Sequence, residues 1–287
     1  MRYGDFASLC ERSPLPVCRV FGDAVLPSCH LKTYSAGSSA RFVNIPDFVI
    51  SIIAFLAMLY LAFRAHRKLA AVGRREITLL LFFYSVTLIL NLVGSDFIFD
   101  TGKANKWLGV VNTALEVTFF WILLLFGGVG FQYIADGSFG SILMFVGTGT
   151  VIFIAMGYIA ADTAFGISSG LKPKASDPFY SPGLFTIYLV FPLIAIVGFM
   201  IMQSIIVIRF LAVRRPLLWL ACSFICFAVA QVLMFAASKR MCNGTNGRID
   251  GAFFATLLDS AAVFCIYGFW SAITVDDSDE YDNVYKY

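Results

Sequence analysis

The sequence predicts an all-α membrane protein: a seven-transmembrane helix bundle with a disulfide-braced lumenal N-terminal segment. Three observations carry that prediction. Of 287 residues, 59% are hydrophobic and only 14% charged, against roughly 25% charged in ordinary soluble domains. The apolar residues gather into seven runs, each close to the ~20 residues that cross a bilayer as a helix, the one conformation that satisfies its own backbone in lipid. Four of the seven cysteines lie outside these runs, all on one predicted side.

Residues 1–44 are read as the lumenal segment. They lack the apolar core of a cleavable signal sequence, so the first span is expected to act as the targeting element. The bundle is assigned to residues 45–273. Span one covers 45–63, with Pro46 suited to a first helical turn. Span two, 77–94, holds no charge until Asp96 beyond it. Span three, 107–134, contains Glu116. Span four covers 141–161, span five 184–208 with a kink expected at Pro192, and span six 217–237. Span seven, 251–273, carries Asp259. Trp107, Trp219 and Trp270 fall near span ends, where amphipathic rings favour the membrane interface. Residues 274–287 form an acidic cytosolic tail.

The first loop, "RAHRKLAAVGRRE", holds five Lys and Arg, and "RFLAVRRP" after span five holds three. Both lie on one side, which the positive-inside rule makes cytosolic. Against this, "SKRMCNGTNGRID" carries three on the other side. The cysteines add weight to a lumenal N-terminus. Cys222, Cys226 and Cys265 lie within spans. Cys10, Cys18 and Cys29 lie in the N-terminal segment and Cys242 in the sixth loop, which an odd span count places on the same side. Such a distribution fits an oxidising lumen. Two bridges are expected, three connectivities remain open, and one bridge is expected to tie the segment to the loop before span seven. Asn243 begins an Asn-Gly-Thr glycosylation acceptor on the same side.

Glu116 and Asp259 read as the only acids buried well inside spans, and ionisable groups at such depth mark function by default. No span contains a basic residue to pair with them, which favours contacts within the bundle or to a partner over an ion path. Asn112 and Gln231, with Asn91, Gln132 and Gln203, read as interhelical hydrogen-bonding groups worth ~0.6 kcal/mol each. Gly127, Gly128, Gly130, Gly147 and Gly149 permit close helix approach. Cys222 and Cys226 share a helix face, but nothing beside them completes a metal site, so buried structural thiols are expected. The two histidines, His30 and His66, fall on opposite sides of the membrane, and no Ser-His-Asp, HExxH or phosphate-cradling pattern occurs. No catalytic site, metal or cofactor is therefore expected. A net charge of +3 without a basic run gives no reason to expect nucleic acid. Membrane lipids are the expected surroundings. The tail "TVDDSDEYDNVYKY" is expected to be disordered. Its Asp277, Asp279 and Glu280 resemble the di-acidic signals that vesicle-coat cargo adaptors read for exit from the endoplasmic reticulum.

Several stretches together resemble the fungal chitin synthase export chaperone family. They are "DFASLCERSPLPVC" at 5–18, "VLPSC" at 25–29, "AAVGRRE" at 70–76, Ala230-Gln231-Val232-Leu233 in span six, "DGAFF" at 250–254 and "TVDDSDE" at 274–280. The resemblance covers essentially the whole chain. It implies a multi-pass protein of the endoplasmic-reticulum membrane that binds a chitin synthase catalytic subunit, promotes its folding and export, and so supports cell-wall chitin synthesis. No glycosyltransferase signature accompanies it. Two other classes share the topology. A seven-span receptor lacks support, because span three ends in Phe131-Gln132-Tyr133 and span seven has neither an NPxxY pattern nor a lysine. The other is a small-solute or proton transporter using Glu116 and Asp259.

Overall fold

The structure, a computed structural model, describes residues 3–24, 29, 31–35, 41–68, 71–98, 102–129, 138–168, 179–211 and 215–274. Among the described residues, seven helices are long and apolar enough to cross a membrane: Ile45–Arg67, Arg74–Gly94, Lys103–Val129, Phe139–Phe165, Pro182–Arg209, Arg215–Gly244 and Gly251–Ile273. They are spans one to seven. Their starts follow capping chemistry. Pro46 sits in the first turn of span one, Ser138 caps the Ser141 N–H of span four, and Asp250 accepts from the Ala252 and Phe253 N–H groups of span seven.

Several details differ from the sequence expectation. Span six does not stop near residue 237. It widens into a π turn at Leu233–Ala237 and continues as helix Ser238–Gly244, so the start of the predicted sixth loop is helical. Span five takes a π turn at Thr186–Val190 just before Pro192. A shift of the hydrogen-bond register there accommodates the missing proline donor. The described helix of span three ends at Val129, and 130–134 lie outside the described residues. Trp270 is not an interface ring: it is 2% exposed, and its indole N–H donates to the Val72 carbonyl at 2.8 Å.

The N-terminal segment departs furthest from a polar tail. It comprises a helix at Ala7–Arg12 and a 3-10 stretch at Pro16–Ala24, then two short strands that an all-α reading does not contain. Strand β1 (Thr33–Ser35) pairs antiparallel with β2 (Arg41–Val43), which pairs antiparallel with β3 (Phe97–Ile98) between spans two and three. The segment also reaches the other two loops of its face. The Phe6 N–H donates to Phe179 O at 3.1 Å and the Ser181 N–H to Gly4 O at 2.9 Å, before span five. The Lys32 N–H donates to Gly247 O at 2.9 Å, and Cys29 is bonded to Cys242, both around the loop before span seven. A second disulfide, Cys10–Cys18, closes the Pro14-Leu15-Pro16 corner. The segment is thus a lid fastened to every loop on its side of the bundle, hereafter the tail face.

Packing divides the bundle into two cores. Toward the opposite face, Trp270, Phe269, Ile266, Ile77, Leu80, Leu81, Phe126 and Phe199 form one buried cluster. Toward the tail face, the lid residues Phe6, Leu9, Leu15, Val17 and Val20 are buried among Val110, Ala114, Met156, Leu184 and Ala230 of the spans. Gly109 makes this docking possible, since a Cβ there would lie 2.8 Å from the Arg19 Cβ and 3.2 Å from its backbone. Gly127 works similarly deeper in the bundle, where a Cβ would meet Met202 at 2.6 Å.

Candidate functional site

Between the two cores the spans leave a cavity of about 390 Å³, lined by the lid corner Pro14–Pro16 and by every span except the fourth. Its walls are mostly apolar, including Leu88, Phe119, Phe120, Ile196 and Phe227, with polar groups at a few points. That composition and size are typical of a small binding site.

Three carboxylates line it: Asp47 of span one, Glu116 of span three and Asp259 of span seven. Glu116 is held from two sides. The Tyr188 hydroxyl donates to its Oε2 at 2.8 Å, and Asn91 also hydrogen-bonds its carboxylate. Asn91 is fixed in turn by the Asn112 amide, 2.5 Å from its Oδ1. Asp259 and Asp47 differ. The Oδ1 atoms of both are buried without a hydrogen-bond partner. Asp47 is 5% exposed and its carboxylate reaches the Thr256 hydroxyl. Nearby, the Tyr84 hydroxyl and Ser260 Oγ lie 3.0 Å apart, and Gln231 completes the polar lining. No Lys, Arg or His is among the lining residues. Buried polar groups are ordinarily satisfied, yet two of the three carboxylates that line this cavity each leave an oxygen without a hydrogen-bond partner.

The site therefore includes Glu116, Asp259 and Gln231, with Asn112 one hydrogen bond behind. Sequence reasoning missed Asp47, which lies in the first turn of span one. Glu116 and Asp259 are also not the only deep acids. Glu76 is fully buried near the opposite face, where its Oε1 accepts from Ser141 at 2.6 Å. Asp162 is fully buried at the end of span four, where it accepts from the Ser168 hydroxyl at 2.9 Å and from the Ser168 N–H. Both follow charged or small residues at helix ends, a context that hides burial from a hydropathy pattern.

At the tail-face end of the site, the Asn44 amide donates to Asp250 at 2.8 Å and joins the starts of spans one and seven. Burial pushes the Asp250 carboxyl above the usual carboxylate range, opposed by the Phe253 N–H, the Asn44 amide and the Ala252 N–H. The lid is keyed to span six by Ser13, whose hydroxyl donates to Met234 O at 2.9 Å. That carbonyl lies within the π turn, where the altered register leaves backbone groups to be satisfied from outside.

The remaining predicted residues lie elsewhere. Asn243 is exposed on the final helical turn of span six, while the Thr245 hydroxyl of the same acceptor donates to Met241 O and accepts from the Ile249 N–H. Cys222 lies 3.4 Å from Cys265 of span seven, so its thiol contact crosses between helices. No group of three metal-ligating side chains occurs among the described residues. Asp277, Asp279 and Glu280 lie outside the described residues.

The chain matches the family model described as chitin synthase export chaperone over residues 2–282. It belongs to that family. Among named chitin synthase export chaperones, that of Coccidioides immitis is 28% identical over 96% of this chain and 84% of its own length. That of Aspergillus oryzae is 29% identical over the same shares. That of Cryptococcus neoformans is 31% identical over 96% of this chain and 76% of its own. No solved structure matches the chain significantly. For a family member of this extent, the receptor and transporter classes are not the favoured readings.

Proposed function

We propose that this protein is a non-enzymatic membrane accessory that binds a chitin synthase catalytic subunit in the endoplasmic reticulum, supports its folding and promotes its export for cell-wall chitin synthesis. The observation that carries this reading is the extent of the family match: residues 2–282 include the lid and all seven spans, so the likeness is not confined to one shared module. The tail face is lumenal in this reading, which puts both disulfides in an oxidising compartment and the C-terminus in the cytosol. Asn243 carries the glycan if one is attached. Asp277, Asp279 and Glu280 serve as the contact for vesicle-coat adaptors.

Such a role needs a client surface rather than a catalytic centre. The cavity supports this, because it presents carboxylates that the chain leaves partly unsatisfied. Asp259 and Glu116 are assigned to client binding, and Asn112 and Gln231 to shaping the site. Binding that favours the folded client stabilises that state by mass action. The test is deletion of the gene with imaging of tagged chitin synthase. Retention of the synthase in the endoplasmic reticulum, while other membrane cargo leaves, is the expected result. Normal delivery of every synthase in the host overturns the reading.

A further inference from the structure

The cavity has one side that the bundle does not close. Span five packs against span three and span six against span seven, while spans five and six barely meet. The cavity wall at that seam contains Leu193 and Phe224, whose side chains are 61% and 42% exposed. The tail-face end is shut by the lid, where Leu15 lines the cavity at 7% exposure. The opening therefore faces lipid, and an occupant enters from within the membrane.

Three features define that occupant. Asp259 offers a buried Oδ1 with no hydrogen-bond partner, and no cationic side chain is among the described residues that line the cavity, so the missing group is a donor or cation. About 390 Å³ accommodates one long side chain, not a whole helix. Apolar walls around the acids suit a methylene stem ending in a charge, as Lys and Arg provide. Depth separates a protein side chain from a lipid amine. Asp259 lies nine residues beyond the cap at Asp250, about 13 Å along the helix axis at ~1.5 Å per residue. That is near the midplane of a hydrocarbon core ~30 Å thick, whereas lipid amines reside at its surface.

We propose that the seam between spans five and six admits a Lys or Arg side chain from a membrane-spanning segment of the client, and that Asp259, with Glu116 beside it, receives its charge. A basic residue at that depth is costly in lipid, so a client segment carrying one is incompletely sheltered until it docks here. This deepens the proposed function and rests on it.

The test places a photo-reactive phenylalanine analogue at Leu193 or Phe224, and at lipid-facing Ile154 of span four as a control, in cells expressing tagged chitin synthase. Adducts to the synthase from the two seam positions and not from Ile154, mapping to a span that holds Lys or Arg, are the expected result. Asp259→Asn is expected to lower that yield about tenfold at unchanged protein level, as the loss of a charge-assisted contact implies, and Asp259→Glu to restore part of it. Seam adducts of lipid mass only, or synthase adducts from Ile154 only, overturn the inference while leaving the export role standing. So does an Asp259→Asn yield equal to that of the parent. A deletion strain that delivers all its synthases normally overturns the export role itself.

Discussion

The two halves of the bundle are built from similar residues and finished differently. Toward the opposite face, polar side chains tie the packing together. Trp270 holds the Val72 carbonyl, Lys68 donates to Ser271 at 3.0 Å, and Glu76 accepts from Ser141. Gly73, at φ +69°, supplies the left-handed turn that glycine adopts without strain and brings Val72 within reach of the indole. Toward the tail face, lid and spans enclose a cavity with two bare carboxylate oxygens and an unclosed seam. The first half is finished as a scaffold. The second carries polar groups that the chain alone does not satisfy, as sites kept for a partner do, at some expense of stability.

Four substitutions probe that contrast, in falling order of their effect on stability. Trp270→Ala removes a large ring from the closed half and orphans the Val72 carbonyl. It is expected to cost ~3–5 kcal/mol and to strip folded protein from detergent extracts measured by fluorescence-detected gel filtration. Cys242→Ser opens the bridge to Cys29 and is expected to cost ~2–4 kcal/mol. The thermal midpoint should fall between those of the parent protein without and with reductant, which also opens Cys10–Cys18, and a midpoint insensitive to both would remove the lid as a structural fastening. Ser13→Ala frees the Met234 carbonyl and is expected to cost about 1 kcal/mol in the same melt. Asp259→Asn replaces a buried carboxyl whose Oδ1 has no hydrogen-bond partner, so the midpoint should hold or rise while synthase association falls. A fall in the midpoint like that of Trp270→Ala would place Asp259 in the scaffold.

The spans were more legible in sequence than the way they pack. Length and hydropathy revealed the seven spans, and cysteine placement led to the expectation of a bridge between the N-terminal segment and the sixth loop, with its connectivity open. Glu116 and Asp259 stood out because a charge inside an apolar run is conspicuous. Asp47 and Glu76 did not, because a carboxylate in a first helical turn looks the same whether water or protein surrounds it. The lid was hidden for a related reason. Phe6, Leu9, Leu15, Val17 and Val20 follow neither a helical nor a strand period, since they sit on a short helix, a corner and a 3-10 stretch. The π turns at Thr186–Val190 and Leu233–Ala237 leave no signature in composition. The seam is least visible of all, being a scarcity of contact between two spans whose sequences resemble their well-packed neighbours.

The most direct measurement follows delivery of tagged chitin synthase to the cell surface in a strain whose only copy of this protein carries Asp259→Asn, with its abundance quantified alongside. The account predicts a normal amount of folded Asp259→Asn protein and synthase held in the endoplasmic reticulum. Parental delivery at parental abundance would contradict it.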